Sequence, residues 1–166
     1  MNKVEKFEDV LKYIKDQTLK ADACYLIDGL PDYFFEVPAS STGKYHPSYA
    51  LGEGGLLRHT KAAVRIAYEL LSDPLIGDKY TERERQLMLI ALMLHDGLKS
   101  GMEHSKYTKV EHPLLAAKYV KDNTKIEEIN LACGEILKEA HKFYTKNNFK
   151  QVEKLPIKMH YADDDD

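Results

Sequence analysis

Val4, Phe7, Val10, Leu11 and Ile14 recur at intervals of three to four residues, and the same spacing returns in segment after segment of this chain. An apolar stripe of that period is the buried face of an amphipathic helix, and no alternating pattern of a strand competes with it. The chain is therefore expected to be all-α. Residues 21–29 read as a second short helix, so that 1–30 form an N-terminal helical part. From 31 to 55 the period fails: prolines, glycines and the run PASSTG predict a long ordered loop, anchored by Tyr33, Phe34 and Phe35. Loops of that length usually carry function. The helical pattern returns from Leu56 to about Ser72 and stops at Asp73 and Pro74. Thr81 and Glu84 have the spacing of a capping box and open a helix bearing Leu87, Ile90, Ala91 and Leu94. Pro113 suits the first turn of a helix running to about Lys121, with His112 at its cap. Thr124 and Glu127 repeat the capping box for a helix reaching about Tyr144, and PIKMHYADDDD is helix-compatible. Residues 56–166 thus make up the helical core.

A chain of 166 residues, 43% of them hydrophobic, is the size of one domain with one good core. The net charge of −3 excludes a global basic field of the kind that coats nucleic acid, while leaving room for a local basic site. Cys24 and Cys133 have neither metal-ligand spacing nor a disulfide framework, and read as free thiols. No charged-then-apolar leader opens the chain and no apolar run reaches the ~18 residues of a membrane span, so a reducing, cytoplasmic setting away from membranes is expected.

The stretch ALMLHDGLKSG, residues 91–101, drives four apolar residues into the polar pair His95–Asp96. A carboxylate at the C-terminal end of a helix opposes the helix dipole and calls for a cation. Local capping by Gly97 is one answer and a metal ion is the other. The histidines favour the second. His59, His95, His112 and His141 each fall in or beside a different predicted helix, next to apolar neighbours. Helices packed round one core can aim several imidazoles at one point, and imidazole with carboxylate suits Zn, Mn, Fe, Co or Ni. The aspartates 163–166 raise the same electrostatic question at the end of the last helical segment.

Three motifs, GGLLRHT around His59, LMLHDGLK around His95 and Asp96, and EHPLLAA around His112, followed by HYAD at Asp163, resemble the HD-domain superfamily of metal-dependent phosphohydrolases. The resemblance runs from Gly54 to Asp163. It implies a single-domain HD-type helical bundle in which His59, His95, Asp96 and Asp163 hold one divalent metal ion, with Asp164 the alternative for the last ligand. It further implies that His112 and His141 hold a second ion bridged by Asp96. The metal, one ion or two, is then drawn from Mn, Fe, Zn, Ni, Co and Mg. Glycine sits one place earlier here than in the family's usual HDIGK, and Lys99 keeps its offset from the pair.

The activity implied is cleavage of a phosphate ester or anhydride of a nucleotide or of an oligonucleotide end. Asp96 and Lys99 are the expected catalytic pair, Lys99 meeting the phosphate. His112 at a helix N-terminus is expected to have its pKa lowered and so stay neutral. Arg58 beside a ligand, and Ser41, Lys44 and His46 in the loop, are the further substrate contacts. The alternatives are an HD-fold di-iron oxygenase and a non-catalytic nucleotide-binding or regulatory module. Lys138, Lys142, Lys146, Lys150, Lys154 and Lys158 recur every four residues with Phe143, Tyr144 and Phe149 among them, a pattern that fits a short single-stranded nucleic acid. Asn147, Asn148 and Pro156 interrupt that ridge, which reads better as a solvated face. A small phosphorylated substrate is the expected partner, and a homo-oligomer is compatible with the sequence.

Overall fold

The computed structural model describes residues 2–40, 46–125 and 146. By its internal contacts the chain divides into two compact units, Met1–Glu127 and Glu128–Asp166, and the described residues lie in the first apart from Lys146, which is helical and exposed. The described residues are helical and contain no strand.

The opening stripe folds as a 3₁₀ turn, Glu5–Phe7, running into α1, Glu8–Leu11. Phe7, Val10, Leu11 and Ile14 are all buried, as the period requires, although the helix itself stops at Leu11. It stops early because α2, Gln17–Asp28, starts sooner than its apolar pattern suggests: the Asp16 carboxylate accepts from the Thr18 and Leu19 N–H groups at 2.9 and 3.0 Å and caps it. Phe7 then stacks on Phe34 with ring centroids 6.0 Å apart and meets Phe35 edge-on at 6.3 Å. The aromatic triplet thereby anchors the loop after α2, as expected, within a 3₁₀ turn at Asp32–Phe35. A second 3₁₀ turn, Ser48–Ala50, precedes α3.

α3, Gly55–Ser72, buries Leu56, Thr60 and Val64. Its first residue has to be glycine, since a Cβ there would stand 2.1 Å from the Ala50 carbonyl oxygen and 3.0 Å from the Pro38 Cα. That closeness lets the loop lie on the start of the helix, where the Leu56 N–H donates to the Val37 carbonyl at 3.0 Å. Asp73 ends α3 and caps the short α4, Pro74–Gly77. α5, Glu82–Leu94, opens with the capping box: the Thr81 N–H donates to Glu84 at 2.7 Å and the Glu84 N–H to Thr81 Oγ1 at 3.3 Å.

The buried face of α5 is Gln86, Leu89, Ile90, Met93 and Leu94, while Ala91 is exposed and Leu87 only half-buried. The expected stripe is therefore rotated, and the cause is Gln86. Its Oε1 accepts the N–H groups of Lys15 and Asp16 at 2.7 and 2.9 Å, which satisfies a polar group in the core and ties α5 to the turn before α2. α2 and α3 both pack against α5. After α5 the chain makes a long turn whose ends are joined by the Lys109 N–H to the Lys99 carbonyl at 2.9 Å, and α6, His112–Asn123, follows. His112 is the first residue of α6 and Glu111 precedes it as cap, one place earlier than the sequence suggests. Thr124 terminates α6, donating from Oγ1 to the Val120 carbonyl at 2.8 Å. Glu127, with which it was to form the next capping box, lies outside the described residues, as do Cys133 and the segments expected to be helical beyond it. Among the described residues no helix is long and apolar enough to cross a membrane.

Candidate metal centre

Asp96 is 5% exposed, one residue past the cap of α5, and everything basic nearby converges on it. Its Oδ2 has the Lys99 Nζ at 2.9 Å, the His95 Nε2 at 3.6 Å and the His59 Nε2 at 4.0 Å. Its Oδ1 has the His112 Nε2 at 3.2 Å. Each neighbour arrives from a different place: His59 from the second turn of α3, His95 from the end of α5, Lys99 from the turn after it, and His112 from the start of α6. The clasp between Lys109 and Lys99 returns α6 to the end of α5 and so brings His112 within reach.

His59, His95 and Asp96 offer ligand atoms that all lie within 4.8 Å of one another, a group that can hold a metal ion. The ring orientations fit that use. His95 Nδ1 and His112 Nδ1 each lie 2.7 Å from a backbone carbonyl oxygen, of Leu92 and Lys109 respectively. A carbonyl only accepts, so both Nδ1 atoms carry the proton and donate, and the ring nitrogen left facing Asp96 is Nε2. This is the arrangement by which metal-bound histidines are held in one tautomer.

Burial pushes the Asp96 carboxyl up, but the hydrogen bond from His112 and the charges of His95 and Lys99 overcome it and hold the carboxyl well below the usual carboxylate range. Burial lowers the pKa of His59, helped by His46, His95 and Lys99 against the pull of Asp96, so this imidazole is neutral near pH 7 as a ligand must be. His112 departs from expectation. Its hydrogen bond to Asp96 raises its pKa, outweighing burial. The helix N-terminus lowers an imidazole pKa by a partial charge, whereas the carboxylate is a full charge in direct contact, and the second effect wins.

Two expected substrate contacts are engaged elsewhere. Arg58 donates from Nε to the Tyr49 carbonyl at 2.6 Å and from its two terminal nitrogens to the Glu53 and Leu51 carbonyls, both at 2.8 Å. It clamps the loop onto α3 instead of reaching toward Asp96. Lys99, expected to meet a phosphate, is bound to Asp96 itself. His46 comes closer to the centre than its place in the loop indicates: its ring stands edge-on to that of His59 with centroids 4.9 Å apart, and its Nδ1 is buried without a hydrogen-bond partner among the described residues. Ser41, Lys44, His141 and Asp163 lie outside the described residues. Tyr33, read from the sequence only as an anchor of the loop, ties that loop to the turn after α5: its hydroxyl accepts the Ser100 N–H at 3.0 Å and donates to the Gly101 carbonyl at 2.8 Å, and its ring stacks on His104 at 4.5 Å.

Comparison with protein-family models, with curated proteins and with solved structures finds no match to this chain.

Proposed function

We propose that the chain is a metal-dependent phosphohydrolase of the HD type, acting on a phosphate ester or anhydride of a nucleotide or of an oligonucleotide end. The observation that supports this reading is the division of Asp96: one carboxylate oxygen faces His59 and His95, the other faces His112. A carboxylate so placed can serve one cation or bridge two. His59, His95 and Asp96 would hold the first ion, and His112 would contribute to a second, with His141 and Asp163 as the further ligands that the family resemblance implies. A divalent ion there supplies Lewis-acid polarisation of a phosphate and acidifies a water molecule toward neutral pH.

The chain's own groups do the rest. His95, fixed by a backbone carbonyl, presents Nε2 without reorganisation, whereas His112 would first have to give up the proton by which its Nε2 donates to Asp96. Lys99 places a positive charge at the edge of the carboxylate, where it can neutralise charge on an incoming phosphate. The described parts of the loop, 31–40 and 46–55, are held by the aromatic triplet and by Arg58.

Elemental analysis of the native protein, with hydrolysis measured over a panel of nucleotides and short oligonucleotides, tests the proposal. Metal-dependent phosphate release that disappears, together with bound metal, in Asp96→Ala or His95→Ala supports it. Iron with oxygen-dependent turnover would transfer the site to oxygenase chemistry, and tightly bound nucleotide without turnover would make it a binding module.

A further inference from the structure

Lys99 stands on the same Asp96 oxygen that His59 and His95 approach, at 2.9 Å against 4.0 and 3.6 Å. Its ammonium occupies the place of a cation in the centre. The same side chain also lines a second space. A cavity of about 140 Å³ lies between residues 37–39 of the loop and the turn after α5, with Lys99 on its wall. Lys106 and His104 add two further basic residues to its lining, Ser100 and Thr108 add hydroxyl-bearing ones, and residues 37–39 and Leu56 complete it. His104 is held by its stack on Tyr33. Among the described residues no acidic side chain lines this space. It lies well below the roughly 300 Å³ at which whole drug-sized ligands are held, so it suits one compact group. Cationic and hydroxyl donors without an acid are the chemistry of a phosphate or similar oxyanion.

We propose that this cavity is an oxyanion subsite for phosphate, and that Lys99 is a cation placeholder which leaves Asp96 for the cavity when a metal ion takes the carboxylate. Metal and phosphate then bind with positive cooperativity, because the ion releases the ammonium that the anion needs. Without metal, Lys99 is neutralised by Asp96 and the cavity holds less free charge. The proposal rests on His59, His95 and Asp96 binding metal.

The test is calorimetric titration of the full chain with Mn(II) and with inorganic phosphate, separately and together. Phosphate should bind about tenfold more tightly to the Mn(II)-loaded chain than to the metal-free one, the size of one charge-assisted contact. Lys99→Met should move the two affinities in opposite directions, strengthening Mn(II) binding by removing its competitor and weakening phosphate binding to the loaded chain. Lys106→Ala, on an exposed position that folding does not need, should weaken phosphate about tenfold and leave Mn(II) affinity unchanged. Failure of the wild-type chain to bind Mn(II) would remove the metal reading and the placeholder with it. Mn(II) binding with phosphate affinity indifferent to Lys106→Ala, or with Lys99→Met weakening the metal, would overturn this inference and leave the metal centre standing.

Discussion

Asp96→Asn in the metal-free protein isolates what the carboxylate contributes to the fold. It is all but buried and accepts charge-assisted hydrogen bonds from Lys99 at 2.9 Å and His112 at 3.2 Å. Asparagine keeps the shape but turns an NH₂ group toward one of those two donors in either orientation. Hydrogen bonds to charged groups contribute about 1.5–3 kcal/mol each. The His112 contact is at the long end, and Lys99 can swing its ammonium to water, so the lower figure applies to both. With one such bond broken and the other weakened to a neutral one, the loss is then about 2 kcal/mol. Against a total of roughly 5–15 kcal/mol that is a large fraction. Urea unfolding of chelator-treated protein, followed by helical circular dichroism at pH 6, should show a lower midpoint with an unchanged slope. The pH profile adds a second check. His112, its pKa raised by Asp96, contributes stability that is complete below its ordinary value near 6.5 and is lost as pH rises through the folded value. Asp96, its pKa depressed, contributes stability present above roughly pH 4 and lost as pH falls through the folded value. The difference between wild type and variant should therefore be greatest between about pH 4 and 6.5 and shrink on both sides. A variant as stable as wild type, or more so, would refute the reasoning and show that the carboxylate is held at a cost to folding.

Gly55→Ala drives a Cβ into the Ala50 carbonyl, a contact between backbones that cannot turn aside, and should cost about 1–3 kcal/mol in denaturant unfolding. Arg58→Ala should leave global stability within about 1 kcal/mol, because its carbonyl partners are exposed and water replaces the guanidinium, while amide exchange through residues 49–55 accelerates. Tyr33→Phe removes the partner of the Ser100 N–H and should speed exchange there, with a stability loss of about 1–2 kcal/mol. His59→Ala should reduce metal retained after dialysis far more than it changes helix content, measured by elemental analysis beside circular dichroism.

What could be read from the chain was local. The stripe of Phe7, Val10, Leu11 and Ile14, the Thr81–Glu84 box and the stop at Asp73–Pro74 each act within one or two helical turns, and each is present in the fold. His95 and Asp96 announced themselves by polarity at an apolar helix end, and His59 by its place on a separate helix. Features that depend on distant partners were not legible. Gln86 is an ordinary polar residue until the turn before α2 supplies two N–H groups seventy residues away. The clasp between Lys99 and Lys109 has no composition signal, yet it decides that His112 meets Asp96, and that meeting reverses the expected direction of its pKa. Arg58 looked like a substrate contact because its three carbonyl partners belong to a loop whose path no periodicity describes.

The bonds from His95 Nδ1 to Leu92 and from His112 Nδ1 to Lys109 have a consequence in time. Side chains at a surface change rotamer in picoseconds to nanoseconds, whereas a turn of structure opens locally over microseconds or longer. Each ring is bonded to the carbonyl three residues before it, at the end of α5 and at the start of α6, so ring and backbone turn are locked together. The direction in which each Nε2 faces is then remembered for as long as that turn persists. An ion held by His95 would meet that nitrogen in the same place on each return, and either ring loses its orientation only when the chain around it opens.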